Sequence, residues 1–240
     1  SMKTQKNSSL KTICSVFLLF LITLSYGQET INVYENTIVC ENNPIDYKAK
    51  INKVGYLDFK KADSNFANLN TLETNLTGQD RSVFMWIKKN ADVSGDPQTL
   101  FSINTDNGRN QSTFQIDSNQ ELGLDNGAIT GNTKSNALDN EWHYVGYTYS
   151  HSSNDIVIYI DGIAVKTASK NHDAEAGDLY SLGQYYNRAN QENFFDGRMA
   201  EISIWSTILT VEQVALNMTQ KPDTTDTNLV GYYGPLNRET

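Results

Sequence analysis

The feature that most constrains this 240-residue chain is a succession of short β-like runs that no long helical pattern interrupts. From Ile31 onward, alternating or β-branched and aromatic runs are separated by clusters of Asn, Asp, Gly and Ser, which favour turns. Strands spaced in this way form a two-sheet sandwich or a barrel. The pattern predicts strands at 51–59, 82–88, 98–103, 112–116, 122–125, 142–150, 156–160, 163–167, 180–183, 197–205 and 230–236.

The clearest local prediction is a β-hairpin in the stretch "DIVIYIDGIAVKT". Asp161–Gly162 supplies the positive φ angles that a tight type I′ turn requires. A two-residue loop pairs Ile160 with Ile163 and Ile158 with Val165, so the apolar residues of both strands should share one face. Asp161 is therefore expected to be a turn residue and not a catalytic acid.

One short helix is predicted near the C-terminus. Thr210 and Gln213 have the spacing of a capping box, in which each side chain binds the backbone N–H of the other residue. Val214, Ala215 and Met218 then give the helix one apolar side, so we expect it to pack against a sheet.

The N-terminus has the pattern of a secretory signal peptide behind a cloning scar at residues 1–27. Three lysines precede the apolar run "ICSVFLLFLITL", and small residues follow it at 25–27. The run is too short to span a membrane, which takes about 20 apolar residues. We therefore expect cleavage near Gly27, a lead-in at 28–50, a domain at 51–240, and a protein that is secreted or lies at the cell surface, of bacterial type.

Composition excludes some partners. The chain carries 19 basic and 28 acidic residues, and without the three lysines of the leader the charge becomes 16 − 28 = −12. Such a charge opposes binding to nucleic acid and to anionic lipid. Cys40 is the one cysteine beyond the leader, so we expect no internal disulfide and interpret Cys40 as a small packed side chain.

The order of motifs resembles laminin-G-like and pentraxin-like modules of the concanavalin A-like lectin/glucanase superfamily. Such modules have a Trp-His pair, a Tyr-x-Asp-Gly hairpin, a Leu-Gly strand, a Phe-x-Gly strand with a late Trp, and a short helix. The matching residues are Trp142-His143, Tyr159–Gly162, Leu182-Gly183, Phe195–Ile202 with Trp205, and Thr210–Met218. The resemblance implies an all-β, two-sheet antiparallel jelly-roll sandwich that binds ligands at rim loops or on a concave sheet.

Catalytic patterns of that superfamily are missing from the sequence. Hydrolytic relatives carry a Glu-x-Asp-x-x-Glu strand, whereas the nearest imitation here, Asp173, Glu175 and Asp178, is interpreted as a solvated loop. His143 is expected to be a packed, hydrogen-bonded histidine, because a strand places it on the same side as Val145. We therefore predict no enzyme, while a glycoside hydrolase or polysaccharide lyase stays the least favoured alternative.

Calcium is the cofactor that the resemblance suggests. Asp106 and Asn107, in "NTDNGRNQ", match the start of a pentraxin-like calcium site, and hard oxygen ligands suit this ion. The carboxylates that should follow Leu182-Gly183-Gln184 are absent, so a two-calcium site is not expected. A single ion held by Asp106 and Asn107 with neighbouring oxygens remains a hypothesis.

The loop that replaces those carboxylates suggests glycan binding instead. Tyr185 and Tyr186 offer rings that could stack on sugars, and Arg188 and Asn190 offer hydrogen bonds to hydroxyls. The equal alternative is that the tyrosines cover the edge of the sandwich. The sequence thus predicts a non-catalytic carbohydrate-binding or adhesion module. A protein-interaction or structural domain of a cell-surface protein is the alternative.

Overall fold

The computed structural model describes residues 56–69, 72–90, 96–104, 110–124, 140–187 and 190–234. Short strands dominate these residues, as the sequence predicts. In chain order they are β1 (Leu57–Phe59), β2 (Ala67–Asn68), β3 (Arg81–Lys89), β4 (Gln98–Asn104), β5 (Asn110–Ile116), β6 (Leu122–Leu124), β7 (His143–Tyr149), β8 (Asp155–Ile160), β9 (Ile163–Ser169), β10 (Leu179–Leu182), β11 (Tyr185–Asn187), β12 (Asn190–Glu192), β13 (Gly197–Trp205) and β14 (Leu229–Tyr233). The helices are α1 (Glu73–Leu76) and α2 (Val211–Thr219), with a 3-10 turn at Lys61–Asp63.

The strands form two main antiparallel sheets and one hairpin. The larger sheet has the order β1-β13-β3-β7-β8-β9, with β14 also paired to β13. The smaller sheet has the order β2-β10-β4-β5-β6, and β11 pairs with β12. Neighbours such as β13 and β3 are far apart in sequence, so long connections set the topology. This confirms the predicted two-sheet antiparallel sandwich with one short helix near the C-terminus.

The core lies between the inner faces of the two sheets. Alternation along each strand aims every second side chain inward, where aliphatic and aromatic residues pack. The larger sheet contributes Val83, Met85, Ile87, Val145, Tyr147, Ile158, Met199, Ile202 and Ile204, and the smaller sheet contributes Phe101, Ile103, Phe114, Ile116, Leu122, Leu124, Tyr180 and Leu182. Phe195 is fully buried in the same cluster.

The hairpin β8–β9 agrees with the prediction in its turn and differs in its register. Asp161 and Gly162 have φ angles of 51° and 78°, and Ile160 pairs with Ile163 as predicted. A register shift then pairs Ile158 with Lys166 and not with Val165. Val165 nevertheless packs against the same core cluster as Ile158 and Ile160, as the predicted shared face requires, while Ile163 is 68% exposed at the tip.

Helix α2 begins with the predicted capping box. The Thr210 side chain accepts a hydrogen bond from the backbone N–H of Gln213, whose side chain binds the N–H of Thr210. Val214 is buried against the outer face of the larger sheet, whereas Ala215 is exposed, so the apolar side is narrower than predicted. Within the described ranges no helix has the length and apolarity needed to cross a membrane.

One predicted surface loop is partly buried. Asp178 is 1% exposed, which corrects the expectation that the acidic loop 173–178 is solvated throughout. Burial raises the pKa of Asp178, although a hydrogen bond from the N–H of Glu175 and the charge of Arg81 lower it in part. Arg81 is fully buried and its guanidinium lies 4.3 Å from the ring centre of Tyr149. These groups close one end of the sandwich with polar contacts.

Candidate functional site

The predicted ligand-binding loop forms the hairpin β11–β12. Pairing of these strands brings Tyr185, Tyr186 and Asn190 together in the backbone. Arg188 and the side chains of Tyr186 and Asn190 lie outside what the structure describes. Tyr185 is only 7% exposed. Its ring therefore has little free area for a sugar, which favours the alternative that it covers the sandwich edge.

The first predicted loop site follows strand β4 in sequence, and the second lies beside the start of β4. Asp106 and Asn107 fall outside the described residues, in the connection that leaves β4 after Asn104. At the other end of β4, the N–H of Thr99 donates to the carbonyl of Asn193 beside the hairpin β11–β12. Five residues of strand separate these points, or about 17 Å. The described residues contain no group of three potential metal ligands.

The outer face of the smaller sheet is polar and closed. It presents Thr99, Ser102, Thr113, Gln115 and Ser181, all of which are buried. The Thr99 hydroxyl and both amide atoms of Gln115 have no hydrogen-bonding partner among the described residues. These side chains are of a kind that binds polar ligands, and each of them is buried.

The outer face of the larger sheet carries a second, aromatic cluster. Phe84 stacks on Tyr144 with ring centres 5.5 Å apart and contacts Tyr159 at 5.6 Å. Helix α2 covers this outer cluster, which consists of Phe84, Tyr144, Tyr159, Trp205, Leu209 and Val214. Tyr144 is 1% exposed and Thr148 is 3% exposed. A groove lined by these two residues, which strand alternation alone would allow, is therefore filled.

Beside the outer cluster, three partly exposed rings form what we term the aromatic patch: Tyr56, Trp86 and Trp142. Tyr56 is 45% exposed, and its ring centre lies 6.2 Å from that of Trp142. Trp86 rests on Tyr144 with ring centres 5.5 Å apart and keeps part of its surface free. The rings come from three segments that are distant in sequence, so only the folded sheet brings them together.

Two ion pairs border the aromatic patch. Arg198 Nε lies 3.5 Å from Asp58 Oδ1, and Lys88 Nζ lies 3.8 Å from Glu141 Oε2. The Arg198 guanidinium also lies 4.6 Å from the ring centre of Tyr56. Solvent reaches all four charged side chains. The patch thus combines apolar ring faces with hydrogen-bonding groups of both kinds.

Hydrogen bonds to Asp161 fix the backbone that follows Trp142. His143 is 8% exposed, and its Nδ1 lies 2.8 Å from Asp161 Oδ2. The other oxygen of Asp161 accepts a hydrogen bond from the N–H of Tyr144 at 2.9 Å. This confirms a packed, hydrogen-bonded histidine. Asp161 is thus both a turn residue and the group that fixes the start of β7 beside the patch.

Sequence reasoning missed the aromatic patch, although each of its residues lay in a predicted strand. Trp86 and Lys88 alternate with core residues of β3, which signals an outward face. The pattern alone does not reveal whether that face is covered, because the cover comes from a helix more than a hundred residues later. Aromatic residues at outward positions next to charged ones were the available signal.

Comparison with known proteins places the fold in a family. A laminin-G-type family model of the concanavalin A-like lectin/glucanases superfamily matches residues 62–215, more than half of the chain. No curated protein sequence matches significantly. Among similar solved structures, a putative carbohydrate binding protein from Bacteroides ovatus is 19% identical, with a TM-score of 0.51 over 77% of this chain and 50% of that one.

Two sialidases are also similar in structure. The leech intramolecular trans-sialidase is 14% identical, with a TM-score of 0.54 over 68% of this chain and 27% of that enzyme. The NanB sialidase of Streptococcus pneumoniae is 15% identical, with a TM-score of 0.52 over 66% of this chain and 26% of the enzyme. This chain thus spans half or less of these three proteins. Such identities show a shared fold alone. Together with the family match, they confirm the resemblance seen in the sequence: this chain belongs to the concanavalin A-like lectin/glucanases superfamily.

Proposed function

We propose that this protein is a carbohydrate-binding module that holds glycans on the aromatic patch. The observation that carries the proposal is the ring contact of Tyr56 with Trp142, on the same face of the larger sheet as the partly exposed Trp86. Ring faces of this kind pack on the C–H faces of pyranose sugars, and nearby polar groups bind the hydroxyls. The similar fold of a putative carbohydrate binding protein supports this proposal.

The charges at the rim suit hydroxyl groups. A guanidinium and a carboxylate side by side, as in Arg198 and Asp58, offer donors and acceptors to neighbouring hydroxyls of one sugar. Since both ion pairs are partly exposed and longer than an ideal hydrogen bond, they would exchange contacts with a ligand at little cost. The expected ligand is thus a sugar ring with adjacent free hydroxyls.

We also propose that binding is not followed by hydrolysis. Glycosidases need a pair of free carboxyl groups about 5–10 Å apart across the scissile bond. Among the described acids that border the patch, Asp58 and Glu141 are each paired with a cation, and Glu201 is hydrogen-bonded to Tyr232, so the described residues supply no pair of free carboxyl groups there. Release of reducing sugar from polysaccharides by the purified protein would contradict this part of the proposal.

A glycan array tests the main proposal. Tyr56→Ala and Trp142→Ala should each weaken binding about tenfold or more, because each removes ring area that the sugar would cover. Phe66→Ala is the matched control, since Phe66 is 40% exposed and belongs to the smaller sheet's side of the sandwich. Failure of the wild type to bind any glycan, or equal losses in all three variants, would refute the proposal.

A protein-binding role is the second candidate, and one observation favours it. Ile163, Val211 and Leu216 are 68%, 53% and 51% exposed, which leaves apolar surface on α2 and at the hairpin tip. Such surface is typical of contacts with another protein. Capture of a protein partner that Leu216→Glu abolishes, with no glycan binding, would favour this candidate.

Export and calcium binding complete the proposal. The leader at residues 1–27 favours a secreted or cell-surface protein of bacterial type, and Asp106 with Asn107 would supply oxygen ligands to one calcium ion. Calorimetric titration with calcium should give heat and a rise in melting temperature that Asp106→Asn removes. No heat and an unchanged melting temperature would refute calcium binding without affecting the glycan site.

A further inference from the structure

Strand β13 is distorted in its middle, beside the aromatic patch. Its register against β3 shifts between Ala200 and Ser203, and Glu201 has a φ angle of 49°. Among the described residues, Glu201 is the one non-glycine residue with a positive φ that lies within a strand. Such a conformation costs about 1–3 kcal/mol and persists only where the surrounding structure enforces it. The conformation of Glu201 is therefore more consistent with a functional role than with that of an ordinary strand residue.

The distortion turns Glu201 toward the outer face of the larger sheet. The hydroxyl of Tyr232 donates a hydrogen bond to Oε2 of Glu201. Burial and this carboxylate raise the pKa of Tyr232, so the tyrosine stays protonated as a donor. The other oxygen of Glu201 has no partner among the described residues, and the side chain is partly exposed. Glu201 thus offers a fixed acceptor to a ligand.

The acceptor is next to the proposed sugar surface. Ala200, the preceding residue, pairs with Trp86 across the sheet. Burial raises the pKa of Tyr144, and the charge of Glu201 raises it further. Tyr144 in turn contacts Trp86. A sugar lying on Trp86 would therefore have Glu201 at its edge.

Glu201 also differs from the other acids around the patch. Asp58 and Glu141 are neutralised by Arg198 and Lys88, whereas the hydrogen-bonding partner of Glu201 is an uncharged tyrosine. A carboxylate in this state accepts strong hydrogen bonds from hydroxyl groups. It also repels a carboxylate or a sulfate placed against it, because its own hydrogen-bonding partner carries no charge; the nearby Lys221 ammonium packs over the ring of Tyr232, 5.6 Å from the ring centre.

We propose that Glu201 is the specificity-determining residue of this site and selects neutral glycans over acidic ones. The proposal rests on the proposed function, since it assumes that a sugar lies on the aromatic patch. Oε1 of Glu201 accepts a hydrogen bond from a sugar hydroxyl, while Tyr232 holds Oε2 and so sets the direction of the acceptor. In a regular strand the side chain of Glu201 would point into the core. The strained backbone directs this acceptor to the outer face of the sheet instead.

The test compares a neutral glycan with its sulfated counterpart. Wild type and Glu201→Gln are measured on an array that includes lactose and 3′-sulfolactose conjugates, and the strongest neutral ligand and its sulfated form are then titrated calorimetrically. Glu201→Gln keeps the shape and an acceptor but removes the charge, so the preference for the neutral form should fall about tenfold. Glu175→Gln, an exposed loop position, is the control for the same change in net charge.

A second variant tests the positioning role of Tyr232. Tyr232→Phe keeps the charge of Glu201 but releases its carboxylate, so neutral glycans should bind more weakly while sulfated ones stay rejected. An unchanged preference in Glu201→Gln, with binding still lost in Tyr56→Ala, would overturn the assignment of Glu201 and leave the glycan site intact. Absence of glycan binding by the wild type would overturn both proposals.

Discussion

Gly146 lies beneath the outer cluster, and replacing it by alanine should destabilise the fold strongly. Gly146 pairs with Phe84 on β3, and the Phe84 ring occupies the space that a side chain on Gly146 would need. A Cβ atom there would approach both the ring and the carbonyl oxygen of Val83 to less than 3.0 Å. The ring could turn away, but the carbonyl belongs to the backbone of a central strand and can move only if β3 and β7 separate.

The expected cost follows from these two obstacles. Overpacking a well-packed site costs about 1–3 kcal/mol, and the fixed backbone contact places Gly146→Ala at the upper end. A loss of about 3 kcal/mol corresponds to a fall in melting temperature of about 6–12 °C for a domain of this size. Urea and thermal unfolding, followed by tryptophan fluorescence, measure both quantities.

A matched glycine separates overpacking from backbone strain. A Cβ on Gly78 would meet no atom within 4 Å, while its φ of 64° disfavours other residues. Gly78→Ala should therefore cost about 1 kcal/mol from strain alone. If Gly146→Ala costs no more than Gly78→Ala, the reasoning from packing is refuted. Adding Phe84→Leu to Gly146→Ala should recover only part of the loss, because the carbonyl contact remains.

Two further predictions concern the ends of the sandwich and the helix. Burial alone would raise the pKa of Asp173, but hydrogen bonds from Tyr149 and His151 outweigh it and leave the pKa lowered. The contribution of Asp173 to the free energy of unfolding is therefore present above the ordinary carboxyl pKa of about 4 and is lost as the pH falls below it. In urea unfolding measured over a series of pH values, Asp173→Asn should reduce the loss of stability on the acid side. An unchanged acid side would contradict this. Thr210→Ala removes the side-chain acceptor for the N–H of Gln213 and should lower the free energy of unfolding by about 1 kcal/mol, whereas a change below about 0.3 kcal/mol would show that the cap contributes little.

Local features of this protein could be predicted because they depend on neighbours in sequence. The turn at Asp161–Gly162 needs two positive φ angles, and the capping box at Thr210 needs a fixed spacing. Both can therefore be predicted from the residue types in a short stretch of sequence. The register after Ile160 could not be predicted, because one shift in β9 changes every later partner. Tyr185 shows the same limit for sites, since the sequence left open whether its ring is exposed and the fold leaves it only 7% exposed.

The sequence by itself determined the fold class, since alternation, turn residues and motif order all indicate one antiparallel sandwich. It also supplied the acidic charge that argues against nucleic acid. Only the tertiary structure decided which outward residues stay uncovered, because α2 covers Tyr144 but leaves part of Trp86 free. Likewise, the distortion of β13 at Glu201 and the meeting of Tyr56 with Trp142 arise from strands joined across the sheet. Whether a side chain is covered, and which side chains it contacts, depends on residues far apart in the chain, which come together only when the chain folds.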